Sequence, residues 1–238
     1  MLTSSYLLLN VFTLAGPLAR SFEPRVRFAS RWPALAPAIA VTGALFVAWD
    51  VLFTRLGVWG FNEAYLVGLS ALGLPLEEWL FFLTVPYACV FIYDCLNYFW
   101  PMFGQRGWAR YVSLAWGAVA ACLAVVFHDR LYTAVTCGLS AVCMGFAYWR
   151  NPPYLGGFFR AFAVALIPFF VVNGALTGAF TSDPIVWYDN QRNMGVRLGT
   201  IPLEDAFYLL PLLWLVIAQY EWHMRRLGAS RALRLETP

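Results

Sequence analysis

Two short stretches of this chain place adjacent acids at the mouth of an apolar run: Pro75-Leu76-Glu77-Glu78 and Pro202-Leu203-Glu204-Asp205. Proline suits the first turn of a helix, where its missing N–H would be unpaired anyway, and acids just after it sit near the positive end of the helix dipole. A single copy would read as an ordinary capped helix start. Two copies, each opening straight into a membrane-length apolar stretch, point to chemistry, because ionisable groups at membrane depth are costly and usually kept for function. Carboxyl groups crowded beside apolar walls hold a proton near neutral pH. One can then donate it while a neighbour serves as base or as stabiliser of a cation.

Adjacent helix residues point about 100° apart, so one acid of each pair faces the partner motif squarely. Glu78 shares a face with Phe81 and Phe82, and Asp205 shares one with Tyr208. The candidate catalytic set is therefore Glu77, Glu78, Glu204 and Asp205. Glu78 and Asp205 lead it, and Glu77 and Glu204 orient them or share the proton. Trp49, Trp59, Phe81, Phe82, Trp187 and Tyr208 gather by sequence near these acids. Most such rings form the interfacial belt of any membrane protein, but a ring beside the acids can present its face to a carbocation. Asp50 either joins the site or is a lone interfacial acid. Asn62 and Asn190 match between the two stretches and either bind the carboxylates or hold the loop. Arg197 is a counter-charge for one carboxylate or a loop arginine. Asp94, about 24 Å beyond Glu78 along a helix, belongs to the opposite face, where Arg106 or Arg110 is its expected partner.

The elements that position these residues are membrane helices. Of the residues, 61% are hydrophobic and 12% charged, with a mean hydropathy of +0.64. A soluble domain carries about a quarter charged residues. Apolar runs near 4–19, 34–54, 77–99, 109–127, 131–149, 155–179 and 203–223 predict about seven spans. Four arginines after the first run mark it as a retained helix rather than a cleaved signal. Arginine supplies all 16 basic residues, scattered between apolar runs without the stripe that nucleic acid would need. Twelve of the 16 fall on one side, which places the C-terminus in the cytoplasm and the acidic motifs on the opposite face of a multi-pass cell-membrane protein. The five cysteines lie inside apolar runs as small hydrophobes, without metal-type spacing.

The acidic stretches are also an internal repeat. Val58-Trp59-Gly60-Phe61-Asn62, Gly68 and the first acids parallel Val186-Trp187-Tyr188-Asp189-Asn190, Gly195 and the second, with the upstream spacing differing by one residue. The first copy opens span three and the second span seven, so both start on one face. The predicted architecture is all-α, two parallel three-helix repeats (1–100 and 129–238) joined by a linking helix (101–128), as in transporters built from parallel repeats.

Pro75-Leu76-Glu77-Glu78 with Phe81-Phe82, and Gly195-Val196-Arg197-Leu198-Gly199-Thr200-Ile201-Pro202-Leu203-Glu204-Asp205, resemble the small membrane-integral lycopene cyclases over nearly the whole chain. Both halves are present, as in the fused form, with no appended phytoene synthase domain. The resemblance implies a non-redox isomerase that cyclises the acyclic ends of lycopene to β-rings, giving β-carotene via γ-carotene. No cofactor is expected, since no dinucleotide-type G-x-G-x-x-G follows a strand. Lycopene, membrane lipid and other carotenoid enzymes are the expected partners. A proton- or cation-coupled transporter and a carotenoid hydratase are the alternatives.

Overall fold

The computed structural model describes residues 4–101 and 106–236, the side chains of 106 and 229–236 excepted. Seven α-helices account for most of it: α1 Ser5–Arg20, α2 Trp32–Arg55, α3 Leu76–Phe99, α4 Arg106–Val126, α5 Leu131–Arg150, α6 Leu155–Leu176 and α7 Glu204–Glu236. The predicted spans match these closely, except that α7 runs on to Glu236, well beyond its expected end near Trp222 and His223. Five helices (α2 to α6) are long and apolar enough to cross a membrane; α1 has 16 residues and falls short. Large apolar side chains such as Val41, Leu52, Val125, Val142 and Ile167 point outward, as lipid-facing surfaces require. The chain is an all-α membrane protein. Pro86 and Pro168 lie within unbroken helices and interrupt neither α3 nor α6.

α1–α3 and α5–α7 form two equivalent units, with α4 between them packed on α5. The units interlock: α2 packs on α7 of the other unit, and α6 on α3. Both acidic motifs begin at one end of the bundle. The loops there form three two-stranded ribbons that the helical prediction did not include. β2 (Ser70–Ala71) pairs with β3 (Leu74–Pro75), and β5 (Arg197–Leu198) pairs with β6 (Ile201–Pro202), each a hairpin running into an acidic helix. β1 (Trp59–Phe61) pairs antiparallel with β4 (Val186–Tyr188) and joins the two units.

This joint corrects the repeat register. Asn62 N–H donates to Ile185 O and Asp189 N–H to Val58 O, both at 2.9 Å, a reciprocal pair that a twofold axis generates. Asn62 Oδ1 accepts the N–H of Ala64 and Asp189 Oδ1 that of Gln191, the same turn built twice. Asn62 therefore corresponds to Asp189, not to Asn190. The register set by this pair holds without insertion or deletion through Gly68 and Gly195, Pro75 and Pro202, and Glu77 and Glu204. Backbone role defines the equivalence, and an amide and a carboxylate fill it alike. The axis passes near Gly60, opposite Trp187, where a β-carbon would collide with the indole.

Candidate active site

The two acids of each pair do different work. Glu77 and Glu204 are fully buried, and each turns Oε1 back onto the loop before its helix, accepting the N–H of Val67 and of Met194 at 2.7 Å. Glu204 also accepts the Thr133 hydroxyl. Backbone donors at these points need an acceptor because Gly68 and Gly195, one residue on, turn the chain through positive φ. Neither residue lines the central cavity.

Glu78 and Asp205 do line it, one from each unit. The cavity has about 50 Å³ of free space, room for a few waters. Asp50 from α2 lines it as well. Glu78 Oε2 accepts the Tyr6 hydroxyl at 2.5 Å. Asp50 Oδ1 accepts Trp59 Nε1 at 2.5 Å and Thr54 Oγ1 at 3.3 Å, while its Oδ2 is buried without a hydrogen bond. Asp205 is held by three donors: Tyr132 at 2.5 Å, Asn173 Nδ2 at 2.6 Å and Tyr188 at 3.2 Å. Tyr188, in the β4 strand, has its phenol pushed well above the ordinary value by burial and by the Asp205 charge, so it donates its proton and keeps it.

Aromatic rings wall the cavity. Trp59 meets Tyr132 at 5.2 Å between centroids, Tyr188 at 6.1 Å and Tyr208 at 6.3 Å, and Tyr132 stacks on Tyr188 at 5.7 Å. Trp49 lies behind this wall against Tyr208 at 4.9 Å. Phe81 faces the cavity, whereas Phe82 turns away and packs on Phe46 of α2.

Of the sequence candidates, Glu78, Asp205, Asp50, Trp59, Phe81 and Tyr208 meet at one cavity. Asn62 caps a turn and Trp187 covers Gly60, so both hold the loops. Arg197 donates to Thr200 O and Asn190 Oδ1, which makes it a hairpin clamp rather than a counter-charge. Asp94 pairs with Arg31 at 2.7 Å and accepts Tyr220 at 2.7 Å. Arg110 lies over the Tyr148 ring, and the Arg106 side chain is outside the described residues. The short helical turn Phe28–Arg31 before α2 brings Arg31 within reach of Asp94, ahead of the arginines nearer in sequence. Sequence reasoning missed Tyr6, Tyr132, Asn173 and Tyr188. Tyr6 and Tyr132 start α1 and α5 and face the acids from helices far away in the chain, Asn173 is a polar side chain inside the apolar run of α6, and Tyr188 lies in the β4 strand.

No match was found among curated proteins or among solved structures. The lycopene cyclase family model matches residues 3–96 and 129–223, the two three-helix units with α4 left out. With most of its length matched, in two segments that each contain one acidic motif, the chain belongs to the lycopene cyclase family.

Proposed function

We propose that this cyclase closes the ends of lycopene to β-rings by acid–base isomerisation, with the donor and the acceptor coming from different units. The observation that carries the reading is the meeting of Glu78, Asp50 and Asp205 at one aromatic-walled cavity. Two carboxyls that share a buried, aromatic-walled pocket hold one proton between them. The Glu78–Asp50 pair supplies that proton to C2 of the end group, leaving a tertiary cation at C1. The C5–C6 double bond attacks C1, the six-membered ring closes, and the positive charge moves to C5. Loss of the C6 proton then forms the β-ring and restores neutrality. Asp205 is the group suited to stabilise the cation and to take that proton, since three hydrogen-bond donors favour its charged form. The faces of Trp59, Tyr132, Tyr208 and Phe81 stabilise the moving charge without trapping it, as water would. One proton enters and one leaves, so no electrons are exchanged.

The test is expression in a bacterial host that accumulates lycopene, with chromatography of the extracted pigments. The expected result is mono- and bicyclic β-ring carotene. Glu78→Gln and Asp205→Asn should each lower conversion by about 10²- to 10⁴-fold, the usual worth of a positioned acid or base. Full cyclisation by Glu78→Gln would remove Glu78 from the mechanism. A hydroxylated product would favour the hydratase reading, in which water captures the same cation.

A further inference from the structure

A second cavity, about 210 Å³ and almost wholly apolar, lies between α1, α3 and α6. Phe81, Phe169 and Asn173 line both this groove and the acidic cavity. At its rim Phe12 is 71% exposed, so the groove reaches the outer surface where lipid chains would lie. Those three side chains stand between the acids and an apolar groove that is open to that surface and fits a hydrocarbon chain.

The twofold relation should create a second groove, between α5, α7 and α2, and the sequence has filled it. In the register that equates Asn62 with Asp189, Ala88 and Cys89 are replaced by Leu215 and Val216, Val85 by Leu212, and Asn173 by Phe46. Leu212, Val216 and Phe46 are fully buried there. Gln219, equivalent to Ile92, donates to Thr42 Oγ1 at 2.8 Å and ties α7 to α2. The two units therefore share one acidic cavity but are not equal as entrances.

We infer that the α1–α3–α6 groove is the lateral door for the polyene, and that it admits one end group at a time. This rests on the cyclase reading above. A linear polyene inserted end-on through one groove cannot present its far end to the same acids. The monocyclic product must leave to the bilayer and return reversed before the second ring can close.

Two measurements test this on the full-length protein in lipid vesicles loaded with lycopene. In a time course with limiting wild-type enzyme, the monocyclic product should accumulate to many times the enzyme concentration before bicyclic product appears. Bicyclic product formed from the first turnover, with monocyclic product never exceeding the enzyme, would overturn the proposal. The double variant Ala88→Leu, Cys89→Val copies the filled half and should slow lycopene consumption by about tenfold or more, through overpacking of the passage. Leu215→Ala on the closed side should leave the rate unchanged. Wild-type speed in the double variant would overturn the door. Absence of any conversion by wild-type protein would overturn the cyclase reading itself.

Discussion

At the scale of single residues, the twofold repeat supplies two carboxylates and then makes them unlike. Glu78 has one phenol, Tyr6, and a second acid, Asp50, for company. Asp205 has three neutral donors and no acid of its own in the cavity beyond the shared pair. The first side thus sets two acids at the cavity, and the second sets one acid among three donors. Tyr132→Phe removes one of the three donors while keeping the ring that stacks on Tyr188 and meets Trp59 edge-on. A hydrogen bond to a charged group contributes about 1.5–3 kcal/mol, so kcat/KM should fall roughly tenfold to a hundredfold, less than for Asp205→Asn. Pigment assays of the two variants in parallel check the order. The acids were legible in the sequence because paired carboxylates at the start of an apolar run are rare. Their donors were not, because a tyrosine near a span end reads as interfacial belt. Asn173 gave the clearest missed signal, a polar side chain within an otherwise apolar run.

At the scale of elements, each acidic helix is locked to its own hairpin by the first acid of the pair. The hairpins end at Pro75 and Pro202, whose missing N–H fits the entry into α3 and α7. Glu77 accepts the Val67 N–H across this turn, so its task there is an acceptor's. Glu77→Gln keeps an acceptor oxygen at Oε1 but sets an amide where the buried Oε2 has no partner, so it should lower the melting temperature while retaining activity within a few-fold. Glu77→Ala leaves a buried donor unpaired and should cost about 1–3 kcal/mol, read as a lower melting temperature in detergent. Glu78→Gln reverses that order, losing activity with its fold intact. Neighbours of one chemical type thus part into one that anchors the loop and one that lines the cavity, the division the helix spacing had suggested. The helices themselves were legible from the lengths of the apolar runs. The ribbons were not, because two- and three-residue strands carry no periodicity, and only the bonded pairs Asn62–Ile185 and Asp189–Val58 reveal the true register.

At the scale of the whole molecule, the two units are clasped at both ends. Near the acids β1 pairs with β4; at the far end Tyr220 of α7 donates to Asp94 of α3, and Tyr93 of α3 donates to Glu221 of α7 at 2.5 Å. Between these ends α2 lies on α7 and α6 on α3, so neither unit alone covers its own core. Helix association within a bilayer depends on close packing and on such polar ties, because lipid is as apolar as the helix faces. Cutting the chain between α3 and α4 should therefore leave two pieces that restore cyclisation when made together, while either piece alone changes no pigment. The cut also exposes what the tether hides. Asp94 lies nearly buried and accepts the Tyr220 hydroxyl from the other unit, and a hydrogen bond to a charged group contributes about 1.5–3 kcal/mol. In the intact chain the covalent link supplies a high effective concentration that absorbs this loss. Asp94→Asn should therefore leave the uncut enzyme within a few-fold of wild type and sharply reduce product from the cut pair. If both forms lose activity equally, Asp94 acts on the chemistry from the far end; if neither does, the clasp at that end does not hold the units together.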